Sequence, residues 1–245
     1  MPEISIKAEE LFRIGSFPVT NSFLLSFLAL AVLLIIAFMI RRKLSVVPGK
    51  LQGIFELLFE QVLELMDSVL GSREVSERYL PLVLTIFLFV LTSNWLGIFP
   101  GIGPIGLKQG GHVVPLFRSP SADLNFTIAL AVIAVISINV LGTAAIGIRK
   151  HASKFFNFSS PIAFFAGILE FISEFVKIVS FSFRLFGNVF AGEVLLTILA
   201  FLVPFILPLP FLFLEVFVGF IQAFIFSMLT LVFVGMAVTE HAAEH

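Results

Sequence analysis

Apolar residues run through this chain in long blocks, separated by short polar punctuation. Five blocks, 22–40, 79–99, 123–148, 161–202 and 208–238, are long enough for membrane helices, which need about 20 apolar residues each. Residues 1–20 are polar enough to stay outside the membrane. The first block stops at Arg41-Arg42-Lys43. A signal peptide carries its positive charge ahead of the apolar run and a cleavage site behind it. The reversed order predicts an uncleaved span. Pro100 closes the second block, and residues 100–122 hold Gly101, Gly103, Pro104, Gly106, Gly110 and Gly111. That punctuation predicts a loop, neither helix nor strand. Ser121-Ala122-Asp123 reads as the cap of the third span, which closes at Arg149-Lys150. The last two blocks exceed one perpendicular crossing, so they must tilt or kink. Pro204, Pro208 and Pro210 mark the turn between them, and the tail from Glu240 to His245 is polar.

One segment follows a different pattern. Across 51–70, Glu56, Glu60 and Glu64 recur every fourth residue and Asp67 follows, so the acids form one stripe on an apolar helix. Such a helix either lies flat in the membrane interface or packs on other subunits. The whole pattern predicts an all-α polytopic membrane protein: five crossing helices, the last two long and tilted, with an interfacial amphipathic helix. Composition agrees, with 59% hydrophobic and 13% charged residues. Soluble domains average about 45–50% and about 25%.

Charge sets the orientation. With the N-terminus outside, the inner segments carry Arg41, Arg42, Lys43, Lys50, Arg73, Arg78, Arg149, Lys150 and Lys154, and the outer ones Lys7, Arg13, Lys108 and Arg118. The positive-inside rule favours this arrangement, with the C-terminus cytoplasmic. A net charge of −1 leaves no nucleic-acid footprint. The absence of cysteine removes disulfides and thiolate chemistry. His112, His151, His241 and His245 read as loop or tail residues, so no metal site or other cofactor is expected. No internal repeat of the kind that builds many transporters is evident.

The candidate chemistry lies inside the last two blocks. A charge at mid-membrane costs roughly 2.5–3.5 kcal/mol on insertion scales, so Arg184 and Glu193 read as functional. On one helix, Glu170, Glu174, Lys177, Arg184 and Asn188 fall within an arc of roughly 80°. Ser180 lies beside that arc, and Glu193 lies on the opposite side. Glu215 and Gln222, seven residues apart, share a face of the last helix. If Gln222 stands level with Arg184 in an antiparallel pair, Glu193 and Glu215 come level in the outer half. Two such carboxylates can hold and pass a proton. Arg184 stays charged at any biological pH and serves only as a permanent charge. Structural readings stand beside these. Lys177 could pair with Glu170 or Glu174 or snorkel. Ser180 and Ser182 could bond back to helix carbonyls. Gly187, Gly192 and Gly219 could allow close helix contact.

The segment Arg-Leu-Phe-Gly-Asn-Val-Phe-Ala-Gly-Glu at 184–193 closely resembles the signature of the a subunit of F-type ATP synthase, the stator half of its membrane proton channel. Val-Pro-Gly-Lys-Leu-Gln at 47–52, Pro-Ser-Ala-Asp-Leu-Asn at 120–125 and Gln-Ala-Phe-Ile-Phe at 222–226 resemble the same family, in the same order. The resemblance implies that Arg184 faces a ring of c subunits and separates two offset proton half-channels. It implies that Asn188 and Gln222 are polar neighbours, and that Glu193 and Glu215 serve the outer path. Glu215 stands where many bacterial members carry His, which leaves the order of protonation open. Asp123 and Asn125 match a motif linked to outer access. Ser180 and Glu170 match positions linked to the inner path; Glu174 receives no assignment. The implied partners are the c ring, b-type peripheral stalk subunits, the remainder of the complex and the lipid bilayer. The implied setting is a bacterial plasma membrane, with an organellar inner membrane as the other choice. No P-loop pattern is present, so nucleotide chemistry is expected in partner subunits and the chain is not an enzyme by itself. Three other readings remain: a secondary transporter in which Arg184 binds an anionic substrate, a non-conducting scaffold, and a sodium-coupled version of the same motor.

Overall fold

The computed structural model describes residues 7–42, 44–45, 48–99, 106–109, 112–155, 160–203 and 206–239. Lys43, Val47, Pro100, Gly101, Gly103, Pro104, Gly110, Gly111, Pro204 and the tail Glu240–His245, on which sequence expectations rest, lie outside these residues.

Among the described residues, seven helices carry the architecture: α1 (Asn21–Arg42), α2 (Lys50–Leu70), α3 (Arg73–Ile98), α4 (Leu124–Ile146), α5 (Ile148–Phe155), α6 (Pro161–Leu202) and α7 (Pro208–Thr239). All but α2 and α5 are long and apolar enough to cross a membrane. The fold is therefore an all-α polytopic membrane protein. α3 begins six residues ahead of the apolar block at 79, because polar turns extend a helix without extending its hydropathy. Asp123 caps α4 as its position in the sequence suggests: its Oδ1 accepts from the Asn125 backbone N–H at 3.0 Å.

Two short hairpins correct the sequence reading. β1 (Glu10–Ile14) pairs antiparallel with β2 (Phe17–Thr20). Gly15 turns between them at φ 64, in the left-handed region that glycine adopts readily. Residues 100–122 also contain strand, against expectation: β3 (Gly106–Gln109) pairs with β4 (His112–Pro115), and a 3-10 turn follows at Pro120–Ala122. The many glycines of this stretch also permit a plain loop, so the residue pattern does not single out the pairing. α5 is a further addition to the sequence reading. Gly147, at φ 87, redirects the chain out of α4 and starts this short basic helix.

The core lies among α3, α4, α6 and α7. Phe87 and Val90 of α3, Ala131 and Ala134 of α4, Leu185 and Val189 of α6, and Ala223 and Phe226 of α7 form one buried cluster. A second cluster brings Met66 of α2 against Val83, Ile138, Leu231 and Val234. Small residues at the α4 and α7 contacts allow close approach, the main source of helix attraction where lipid is as apolar as leucine. Outward faces are apolar too: Leu34, Ile35 and Phe38 of α1, and Phe165, Phe171, Phe175 and Phe183 of α6, are all exposed. Apolar surface on this scale is covered by lipid or another subunit. α6 has 42 residues. By helical rise it is ~63 Å long, about twice the hydrocarbon thickness.

At the α2–α3 turn the acidic stripe meets its cation. Arg73 pairs with Glu60 at 2.8 Å, Asp67 at 3.0 Å and Glu77 at 3.4 Å. These groups are substantially exposed, and such pairs contribute about 0–1 kcal/mol each. At the other end of α3, Gly97 lies against Ser119. A Cβ at Gly97 would sit 2.5 Å from Ser119 Cβ and 2.9 Å from its Cα, so backbone would have to move. Gly97→Ala is expected to cost about 1–3 kcal/mol through overpacking. A lower thermal unfolding midpoint of the detergent-solubilised protein is the readout, and an unchanged midpoint would contradict this contact.

Candidate functional site

The site is built along α6 and the facing side of α7. Near the α3 end that carries Gly97, a cavity of about 370 Å³ is lined by Arg118, Ser119, Glu193, Thr197 and Glu215, among others. Arg118 Nε lies 3.2 Å from Glu193 Oε1, and its Nη1 donates to the Lys7 carbonyl at 3.0 Å. Glu215 is buried. Its carboxylate rests directly on Gly192, where a Cβ would overlap it. Gly192 thus makes room for a carboxylate, a more specific task than helix contact.

α3 fixes α7 at this level. Asn94 Nδ2 donates to the Gly219 carbonyl at 3.0 Å, and Trp95 Nε1 donates to the Val216 carbonyl at 3.1 Å. Those carbonyls belong to the turn that begins at Glu215, so the carboxylate is mounted on a clamped stretch of helix. Ser119 Oγ is buried without a partner among the described residues and borders the cavity, a position that suits water.

Arg184 lies on the outward surface of α6. Its Nη2 donates to Ser180 Oγ at 3.3 Å, and among the described residues no carboxylate lies within ion-pair distance. A groove of about 250 Å³ runs beside it, lined by Ser173, Lys177, Ser180 and Phe233, among others. Asn188 is exposed one turn further along. Gln222 is buried on α7, and among the described residues it makes no hydrogen bond to Arg184. The structure therefore joins Glu193 to Glu215 and Arg184 to Ser180, while Arg184 and Glu193 stay apart.

Below Arg184 along α6 lies a second polar cluster. Lys177 Nζ donates to Glu174 Oε1 at 2.5 Å and stands 4.8 Å from the Phe233 ring centroid. Lys177 thus pairs with Glu174 rather than Glu170. Asn139 Nδ2 donates to Glu174 Oε2 at 2.9 Å and also to the Val135 carbonyl. Its Oδ1 is thereby left to accept from His151 Nε2–H at 3.0 Å. Glu170 and Lys154 border the same small cavity of about 30 Å³. That is room for about one water.

Asp123 is buried and fully engaged. Beyond the cap, its Oδ2 accepts from Ser22 Oγ at 2.6 Å, tying α1 to the head of α4. Asn125 Nδ2 donates to Asp123 Oδ1 at 3.3 Å. Neither residue borders the cavity that holds Glu193.

Three contributors escape sequence reasoning. Arg118 counts there only as an outer positive charge, although a lone cation just before Pro-Ser-Ala-Asp is a signal. Asn139, a polar residue in the middle of an otherwise apolar span, is a second. His151, by sequence a loop residue, stands instead on α5. Burial, then the nearby Lys154, holds its imidazole below the usual histidine range. Its Nδ1 is buried without a partner among the described residues, so a second proton there would lack an acceptor among them. Neutral His151 therefore supports the fold above the unfolded-state value of about 6.5, and that support declines as pH falls from there toward the lower folded-state value. NMR titration of His151 should give a midpoint below about 6.5; a midpoint above it would contradict the buried neutral ring.

The sequence profile of the ATP synthase A chain family matches residues 23–235. "ATP synthase subunit a" of Moorella thermoacetica is 34% identical over 236 residues, covering 96% of this chain and 99% of that protein. "ATP synthase subunit a" of Campylobacter jejuni is 37% identical over 210 residues, 84% of this chain and 85% of that one. "ATP synthase subunit a 1" of Syntrophotalea carbinolica is 34% identical over 209 residues, with 84% and 80% covered. With this match over most of its length and five apolar helices suited to crossing a bilayer, the chain is an integral membrane protein that belongs to the ATP synthase A chain family.

Proposed function

We propose that this chain is the stator of the proton path in an F-type ATP synthase, with two offset half-channels meeting a c ring on either side of Arg184. The observation that carries the reading is the position of Arg184. It is a permanent cation on an outward apolar surface, without a carboxylate of its own among the described residues, placed between two polar cavities. It lies nine residues from Glu193 and ten from Glu174. Each interval is roughly 15 Å of helical rise.

Protons enter through the cavity of Glu193 and Glu215. A proton neutralises a carboxylate of the c ring, which then turns into lipid. After nearly a full rotation that carboxylate reaches the inner path near Ser180 and Glu170 and releases its proton. Arg184 favours the ionised ring carboxylate and repels hydronium, so the two paths stay separate. Asn188 and Gln222 supply polar neighbours along the contact. Each charge crossing 100 mV gains about 2.3 kcal/mol, which a direct leak would dissipate.

The N-terminus lies outside and the C-terminus in the cytoplasm of a bacterial plasma membrane, supported by the excess of Lys and Arg on the inner side. α2 lies in the inner interface, and b-type stalk subunits complete the stator.

ATP-driven proton pumping by the whole complex in vesicles tests the reading. Arg184→Ala should lower coupled pumping by about a hundredfold or more while the complex still assembles. Pumping at the wild-type rate would defeat the half-channel reading, whereas failure of assembly alone would favour a scaffold. Gly192→Ala should turn the Glu215 carboxylate aside and reduce pumping about tenfold, the scale expected for a small misplacement at a reacting group. Wild-type pumping in that variant would show that the seat on Gly192 is dispensable.

A further inference from the structure

The outer cavity holds two carboxylates and a single cation. Among the described residues that line it, the titratable groups are Arg118, Glu193 and Glu215. Arg118 is 8% exposed. A cation placed that deeply requires a partner. Its Nε stands 3.2 Å from Oε1 and 3.4 Å from Oε2 of Glu193, so it addresses both oxygens of that one carboxylate. Its position is fixed independently, by the Lys7 carbonyl and by the Phe190 ring 5.8 Å away. Glu215 is 7% exposed, seated on Gly192, and among the described residues it has no ion pair.

This asymmetry distinguishes two residues that are chemically identical in the sequence. Two nearby carboxylates resist ionising together, and a cation beside one of them decides which keeps the negative charge. We propose that Arg118 is the fixed counter-charge of the pair, keeping Glu193 ionised so that Glu215 takes and releases the proton. This rests on the half-channel reading and assigns the order of protonation within it. A proton from outer water forms an O–H bond on the Glu215 carboxylate, and that bond breaks when the proton passes on toward the ring. Arg118 never exchanges a proton; it is a positioning residue acting through Glu193. Other charges facing the pair are few. Glu9 acts on Glu193 through space from the N-terminal segment. α3 contributes Gly97, Ile98 and the adjoining Phe99 to the cavity wall, all uncharged.

The test uses the whole complex in vesicles, with ATP synthesis driven by an imposed gradient and measured against outer pH. Arg118→Gln should lower the rate about tenfold and displace the pH profile, because Glu193 then competes for the proton. Arg118→Lys keeps the charge and should stay within about threefold of wild type with an unshifted profile. Adding Glu193→Gln to Arg118→Gln removes the competitor and should raise the rate at least about threefold over Arg118→Gln alone. Glu215→Gln should abolish synthesis in either background. A double variant no faster than Arg118→Gln, or a lowered rate with an unmoved profile, would reduce Arg118 to a structural strap and overturn the inference. If Arg118→Gln does not assemble, a displaced profile in Arg118→Lys overturns it equally. Arg184→Ala in the same assay separates the two levels. Normal coupling there sinks the half-channel reading, while loss of coupling with an inert Arg118 sinks only this proposal.

Discussion

A charge surrounded by hydrocarbon is tolerated only when something answers it, and that requirement arranges the interior of this bundle. Lys177 is answered by Glu174, and Arg118 by Glu193. Arg73, at the edge of the bundle, gathers Glu60, Asp67 and Glu77. Arg184 breaks the pattern, because its described partner is the neutral hydroxyl of Ser180. A cation left with a hydroxyl on a phenylalanine-rich surface is incomplete by itself. In the proposed function its complement is a carboxylate arriving from outside the chain.

The rest of the scaffold holds the paired charges in register with the unpaired one. α3 grips α7 through Asn94 and Trp95, on carbonyls just past Glu215. Such bonds fix a helix rotationally as well as laterally, since each carbonyl points in one direction. Gly192 then lets the carboxylate of α7 reach the surface of α6. On the other side of Arg184 along α6, Asn139 links α4 to Glu174 and to His151 of α5. Each polar cavity is thus bounded by at least three separate segments.

Length and charge act together in α6. One helix carries the Glu193 carboxylate, the permanent cation Arg184 and the Glu174–Lys177 pair. Because all of them ride on a single rigid rod, their separations do not depend on loop conformation. The two cavities stay offset along the rod while the surface between them remains apolar, apart from Arg184 and its polar neighbours.

The spans, the amphipathic helix, the cap at Asp123 and the isolation of Arg184 from Glu193 were legible in the residues alone. Each follows from hydropathy, a local cap or helical periodicity over a short stretch of chain. The meeting of Glu193 with Glu215 was inferable only on an assumed alignment of two antiparallel helices. What joins each of the two polar cavities could not be read this way. Arg118 is 75 residues from Glu193, and His151 meets Asn139 only because Gly147 redirects the chain into α5. The β3–β4 pairing was likewise hidden behind glycines that also permit a plain loop. Periodicity places a residue on a face of its own helix; which distant segment arrives at that face depends on how the helices pack. Packing here is decided by many weak apolar contacts, and those contacts exist only in the assembled bundle.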